Sequence, residues 1–472
     1  MYFNQVQMTI EDFSTPLPLD PDNRWVRWAS MIPWDQLNKT YSALFKKNGH
    51  PAYNVRVAVG SLLVKQLLNL SDEGTVRAIS ESHYLQFFIG LPSFTLHCPF
   101  DASTLTRFRK RLADTTILRT ANEYLIQNAE RPEKDESNKD DDPPSNDGPK
   151  GTMIVDATCA PSDIAFPTDV RLLHVTRIHL EKLIDELWNS SFGKKPRTRR
   201  RQARMAYLRF ARNRKPSSKK VRQAVRQQLG YVKRDLAFIS QLTEKDAHLF
   251  EKQEQIINTA QLIYEQQNEM YRTKKHRVDH RIVSFDQPYV RPIQRGKAKA
   301  ATEFGPKFEI TVIDGYTRLS KLSWENYNES QFLIEKIEAY HQSYDHYPAR
   351  VLADKIYATR ANRQFCKSKG IHLQGPPLGR PRKVDDLDKK IHYQDSCERN
   401  QVESKFGTLK TFHGLERLCS RLKETSELEI ELAILGLNLC KRARSSFVAL
   451  FNSLFFSFKV RINGTRVTLI MR

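Results

Sequence analysis

Three acids of this chain stand where carboxylates can do metal-assisted chemistry: Asp156, Asp354 and Glu403. Asp156 closes the apolar run Met153-Ile154-Val155, and Asp354 closes the run ARVLA, so each sits at the end of a short predicted strand. Glu403 lies on a predicted helix that opens near Asp395, runs through RNQVESKFGTLKTF and stops at Gly414. Two acids at neighbouring strand ends and a third on a helix laid against the same sheet can converge on one small volume although they are far apart in sequence. Such oxygen donors suit magnesium, which keeps several waters and is held by a few carboxylates plus substrate phosphate. Two ions roughly 4 Å apart activate the attacking oxygen and stabilise the leaving one in an in-line displacement at phosphorus. The carboxylates then serve as ligands rather than nucleophiles.

Each acid taken alone also has a plainer reading. An Asp at a strand end is commonly a turn former or helix cap. A Glu on a basic helix is commonly one half of a surface ion pair. On the last predicted helix, Arg399 stands four residues before Glu403 and Lys410 seven after it, so the three share roughly one face. One acid between two bases suits a metal ligand flanked by phosphate clamps. An ordinary Arg399–Glu403 pair fits the same spacing.

The elements that must position these acids follow from periodicity. From about 50 to 128 apolar residues recur three and four apart in VAVGSLLVKQLLNL and TVRAISESHYLQFFIGL, and Ser103 is the expected N-cap of a third helix, TLTRFRKRLAD. Three helices with bases on the last make either a helix-turn-helix-like DNA-binding module or a bundle used for dimerisation. The segment 131–150, rich in Asp, Pro and Ser and nearly free of apolar residues, reads as an acidic disordered linker between a helical domain over 1–130 and a catalytic domain over 151–445. A C-terminal tail, 446–472, contains FVALFNSLFFSF, a buried helix or strand too short to span a bilayer.

Between about 170 and 275 the pattern is of long helices, which do not belong between adjacent strands of one small sheet and therefore mark a helical insertion. It carries a basic stretch from Lys194 to Arg222 that either grips phosphates or is a solvated face. The clustering of Arg199, Arg200 and Arg201, with Tyr207 and Phe210 close behind, favours DNA contact. Strand character returns at 308–324, where Asp314-Gly315 between FEITVI and YTRLSKLSW signals a two-residue hairpin and assigns Asp314 to a turn. An amphipathic helix and the strand ending at Asp354 follow. Asp395 and Glu398 have capping-box spacing at the start of the last helix.

Composition agrees with a polyanionic partner. Lys and Arg number 76 against 54 Asp and Glu, a formal net charge of +22 in 472 residues, and such a field concentrates nucleic acid around the protein. With 39% apolar and 10% aromatic residues, the chain has ordinary globular cores, unlike a short RNA-packing protein. Six dispersed cysteines, without a Cys-x-x-Cys pair, read as reduced thiols. The N-terminus has no signal-peptide pattern and no apolar run reaches the roughly 18 residues of a membrane span. The expectation is a cytoplasmic protein without a membrane.

The spacing Arg399-x3-Glu403-x6-Lys410 in ERNQVESKFGTLK resembles the Tyr-x2-Arg-x3-Glu-x6-Lys signature of a large group of bacterial insertion-sequence DDE transposases. IVDATCAPSDI and LADKIYATRANRQF are similar to the regions around that group's first and second catalytic Asp, and PFDASTLTRFRKRL and RPIQRGKAKAATEFGPKFEI to its N-terminal helical domain and the entry to its hairpin. The resemblance covers most of 50–445. It implies an α/β fold with an RNase H-like mixed sheet flanked by helices, and an N-terminal all-α domain. It further implies that Asp156, Asp354 and Glu403 bind two Mg2+ ions, with Mn2+ able to substitute, and that Arg399 and Lys410 contact phosphates. The implied substrates are transposon terminal inverted repeats and target DNA, bound by a homodimer and, in the cell, beside the nucleoid. Ser396 departs from the signature where its Tyr should stand, with Tyr393 one turn earlier, and Ile356 stands where many relatives have Gly. A DNA-binding relic without catalysis, and an RNase H-like nuclease without a joining step, are the alternatives.

Overall fold

In this computed structural model the described residues are 9–15, 18–45, 52–129, 148–244, 248–294, 302–375 and 386–457. The apolar runs that closed on the acids pair with one another. Strand β1 (Thr152–Cys159) precedes the short hairpin β2 (Pro292–Gln294) and β3 (Thr302–Phe304), then β4 (Lys307–Ile313), β5 (Tyr316–Ser323), β6 (Arg350–Ala353) and β7 (His372–Leu373). Five of them form one mixed sheet in the order β5-β4-β1-β6-β7, antiparallel from β5 to β1 and parallel from β1 to β7. This is the RNase H-like mixed sheet expected, and the first strand lies at its centre. Asp314 and Gly315 both have positive φ, 50° and 74°, the conformation a tight β4–β5 turn demands.

Among the described residues seven helices precede the sheet: α1 (Arg24–Met31), α2 (Trp34–Ser42), α3 (Val55–Leu68), α4 (Asp72–Glu81), α5 (His83–Phe88), α6 (Ala102–Leu112) and α7 (Ile117–Ala129). The cap of α6 is Asp101, whose carboxylate accepts the Thr104 N–H, rather than the expected Ser103, whose hydroxyl donates to Asp101 instead. The ionised oxygen is the stronger acceptor for an orphan helix N–H. The bases of α6 divide: Arg109 forms a bidentate pair with Asp72, Arg111 lies over the Phe45 ring, and Arg107 and Lys110 are exposed.

Between β1 and β2 the chain forms α8 (Asp169–Leu187), α9 (Arg200–Ala211), α10 (Ser218–Glu244) and α11 (Glu251–Thr273), with their own apolar core through Leu173, Leu180, Leu229, Val232 and Ile263. The helical insertion after the first strand is thus present. Helices α12 (Leu333–Tyr344) and α13 (Arg360–Ser368) precede β6 and β7, and α14 (Asp386–Phe412) and α15 (Lys423–Ser457) are the last elements among the described residues. Among the described residues no helix is long and apolar enough to cross a membrane, and no disulfide joins any of the six cysteines. The linker expected over 131–150 lies mostly outside the described residues, and α15 runs without interruption through position 446, where a tail was expected to begin.

Helix α15 ties the two halves together. Leu428, Leu432, Leu435 and Leu439 complete the core of the N-terminal helices, while Ile430, Ala433, Ile434 and Leu437 pack against the sheet. At the junction Asn438 is fully buried: its Oδ1 accepts the Thr317 N–H at 2.9 Å, and its Nδ2 donates to Asn122 Oδ1 and Thr317 O, each at 2.7 Å. Asn438→Ala strands those partners without water and is expected to cost roughly 2 to 4 kcal/mol. The urea midpoint at unchanged m-value reads this. A loss below about 0.5 kcal/mol, the usual scale of a neutral surface change, contradicts it.

Candidate active site

Asp156 does not end its strand as expected: β1 runs on to Cys159, because Ala157, Thr158 and Cys159 continue the antiparallel pairing with β4, whereas Asp354 directly follows the last residue of β6. Register brings the two acids side by side. Val155 of β1 pairs with Ala353 of β6, so Asp156 and Asp354 follow at the same level of two adjacent parallel strands. Because side chains alternate along a strand, Asp156 shares the face of Ile154, and Asp354 that of Leu352. Both apolar residues pack against Val402, Phe406 and Leu409 of α14. The acids therefore emerge just beyond the apolar contact that seats α14 on the sheet.

Their local settings differ. Asp156 is half-buried, with Oδ1 accepting the Ala157 N–H at 2.8 Å. Burial pushes its carboxyl up to about 6. The Ala157 N–H and Arg399 oppose that rise, while the negative charges of Glu329 and Asp354 add to it. Asp354 is exposed and caps a single 3-10 turn, Lys355–Tyr357, with Oδ1 accepting the Lys355 N–H at 2.7 Å. An acid held above its ordinary range by burial and by neighbouring carboxylates is stabilised in its charged form by a cation among them. The donor set, carboxylate oxygen without thiol or imidazole, fits a hard divalent ion.

Glu403 stands on α14 next to the buried Val402, but its side chain is 62% exposed and lies 3.9 Å from Arg399. Among the described residues no group of three or more His, Cys, Asp or Glu is gathered closely enough to hold a metal ion. Asp156 and Asp354 share one level of adjacent strands, and Glu403 lies beside its i−4 base. Lys410 is half-buried two turns beyond Glu403. Ser396, at the position of the signature Tyr, is exposed and donates to His392 O at 2.8 Å, and Tyr393 is 75% exposed one turn earlier. Ile356 is half-exposed on the turn after Asp354.

The start of α14 corrects one expectation. The helix begins at Asp386, so Asp395 and Glu398 are interior to it rather than a capping box. Asp395 is fully buried and accepts from Arg350 at 3.0 Å and pairs with His372 at 2.9 Å, and Glu398 pairs with Arg350 at 2.7 Å. Arg350 opens β6 and His372 lies on β7. These acids anchor α14 across the parallel half of the sheet, and a long-range charge pair took the place of a local cap.

Other residues at the site carried no isolated signal in the sequence. Glu309, on β4 opposite Ala157, is fully buried with Lys336 of α12 and the Tyr357 hydroxyl. Glu329 pairs with Lys307 at 2.6 Å. An acid inside the apolar strand FEITVI was the one legible hint.

A second charged feature lies on the insertion. From Leu187 through Arg234 there are seventeen Lys and Arg residues and no Asp or Glu, which accounts for most of the excess positive charge. Around the N-terminus of α9 they line a cleft containing Lys195, Arg197, Arg199, Arg200, Arg201 and Arg209. The three arginines singled out from the sequence are not equivalent. Arg200 makes a bidentate pair with Asp185 at 2.8 and 2.9 Å, joined by Lys195 at 2.7 Å, and so fastens α9 to α8. Arg199, with φ of 52°, and Arg201 are exposed beside Arg197 and Arg209.

Comparison with known proteins adds to this geometry. A family described as "Transposase DDE domain" matches residues 351–440, from β6 into α15, a span that includes Asp354 and Glu403. A second, described as "Transposase domain", matches residues 17–111. Over 158 residues the chain is 34% identical to a Rhizobium meliloti protein described as "Uncharacterized protein ORF8 in nfe locus", an alignment covering 33% of this chain and 69% of that protein. No solved structure matches.

Proposed function

Because the chain belongs to the insertion-sequence DDE transposases, we propose that it cuts DNA at the ends of its element by hydrolysis and joins the freed 3′-hydroxyl to target DNA by transesterification, at one site. The observation that carries this reading is the register of Val155 with Ala353, which sets Asp156, within β1, and Asp354, just after β6, at one level of adjacent parallel strands beneath the helix that bears Glu403. DDE transposases use divalent metal ions, and Mg2+, with Mn2+ as substitute, is the ion this oxygen donor set suits. When bound, two such ions stabilise charge on the attacking and leaving oxygens of an in-line displacement.

In this reading Asp156 and Asp354 hold the metals through their carboxylates. Glu403 completes the set by turning from Arg399, a contact long enough, at 3.9 Å and with Glu403 largely in solvent, to be weak. Arg399 is then released to a DNA phosphate, with Lys410 as a second cation on the same helix. Orientation of the phosphodiester by these bases supplies much of the rate, because little covalent chemistry falls to the protein. The exposed Arg197, Arg199, Arg201 and Arg209 of the insertion grip the backbone of the same DNA, while Arg200 serves the fold. The partners are the terminal inverted repeats and target DNA, and cleavage of paired ends calls for two copies of the chain on DNA.

The experiment is strand transfer from a pre-cut element end bearing a 3′-hydroxyl, with Mg2+ and a supercoiled target. Joined product supports transposition. Cleavage of intact ends without any joining identifies a nuclease, and end binding with neither reaction identifies a DNA-binding relic.

A further inference from the structure

Beneath Asp156 and Asp354, on the opposite face of the sheet, a buried polar network crosses three strands. Tyr357 closes the 3-10 turn that starts at Asp354, and its N–H donates to Asp354 O at 2.9 Å. Its side chain is fully buried, and the hydroxyl donates to Glu309 Oε1 at 2.6 Å. Glu309 belongs to β4, Tyr357 follows β6, and β1 runs between them. The bond therefore spans the strand that carries Asp156, at the level of Ala157, the register partner of Glu309. A methyl group is all that β1 presents on that face there.

The two ends of this bond are held from outside the sheet. Lys336 of α12 pairs with Glu309 Oε1 at 2.7 Å and donates to Phe332 O at 3.2 Å. Asn362 of α13, also buried, donates to Tyr357 O and to Ser330 O, each at 2.8 Å. Filling a core takes none of these polar groups, and an apolar set of equal volume is commonly as stable or more so. What the polar set adds is direction: one hydroxyl–carboxylate bond fixes the turn after Asp354 relative to β4, and hence relative to β1 between them.

We infer that Tyr357, through Glu309 and Lys336, is a positioning device that sets the spacing of the Asp354 carboxylate from that of Asp156. The inference rests on the reading of those two acids as metal ligands. Neither Tyr357 nor Glu309 touches substrate or metal; they act through the backbone of the turn. Groups that orient a ligand from behind typically change metal affinity by about 10- to 100-fold when lost.

Tyr357→Phe removes one oxygen from a closed pocket. Titration of the full-length chain with Mn2+, following the free ion by electron paramagnetic resonance, is expected to show affinity lowered about tenfold, with kcat for end cleavage reduced more than the KM for DNA. Glu309→Gln, which keeps an oxygen for the tyrosine, is expected to retain most of the affinity, whereas Glu309→Leu loses as much as Tyr357→Phe. That pair also carries the comparison if Tyr357→Phe does not fold. A Tyr357→Phe protein with a lowered melting temperature but wild-type Mn2+ affinity overturns the positioning role, as does a loss in Glu309→Gln equal to that in Glu309→Leu. Asp354→Asn separates the two layers. If it lowers Mn2+ affinity while Tyr357→Phe does not, the positioning role alone fails; if it leaves Mn2+ binding unchanged, the metal-ligand reading itself fails.

Discussion

Asp354→Asn is expected to lower metal-dependent cleavage and joining by roughly 10^4-fold, the scale on which loss of an essential catalytic group is felt, while DNA binding stays near that of the parent protein. The substitution is conservative in shape. Asp354 is exposed, and its structural hydrogen bond, accepted by Oδ1 from the Lys355 N–H at 2.7 Å, is one that a carboxamide oxygen also accepts. What the amide lacks is the negative charge and the second anionic oxygen that a hard cation requires. Removing that charge also relieves the repulsion on Asp156, whose carboxyl Asp354 helps to push up, so the folded protein is not destabilised on electrostatic grounds. Single-turnover cleavage of DNA carrying the element's ends, run beside filter binding in the same buffer, separates chemistry from affinity. Undiminished nicking by the variant removes Asp354 from the mechanism.

The second large effect concerns the insertion. Replacing Arg197, Arg199, Arg201 and Arg209 together by Gln is expected to flatten the dependence of log affinity on log salt by roughly 3 to 4, about 0.9 for each phosphate no longer neutralised. Affinity at low salt is expected to fall accordingly, by orders of magnitude, with little change in preference between sequences, because contacts to the DNA backbone carry no sequence information. Arg200→Gln supplies the contrast. Its guanidinium is committed to Asp185, so its loss loosens α9 from α8 and shows in stability before it shows in the salt slope. An unchanged slope in the fourfold variant assigns the basic run to solvation. A slope change from Arg200→Gln as large as its neighbours' share removes the distinction drawn among the arginines.

How much of this was legible depended on the range of the interaction. The runs that lead into Asp156 and Asp354 are continuous and apolar, buried on both faces, and such runs announce themselves locally, whereas the pairing with β4 that carries β1 past Asp156 to Cys159 does not. So does the Asp314-Gly315 turn, whose backbone only a few residue types adopt. The long helices of the insertion were readable from period and from the base-rich stretch between them.

Caps were less secure, because neighbouring polar side chains compete for the same N–H. Asp101 displaced Ser103 at α6 in that way. At α14 the competition came from far along the chain. Asp395 and Glu398 have the spacing of a cap, yet Arg350 and His372 hold them inside a helix that begins at Asp386.

The sequence by itself determined which apolar runs lead into Asp156 and Asp354, which helix bears the third acid, and where positive charge is concentrated, since each is a property of a short contiguous segment. Only the tertiary structure decided that Asp156 and Asp354 share one level of one face, that Glu403 rests against Arg399, and that Arg200 differs from its neighbours. The same holds for the bond from Tyr357 to Glu309, which joins residues 48 apart across an intervening strand. Register, helix rotation and the partner of a buried charge are set by packing between distant segments, and no local pattern encodes them.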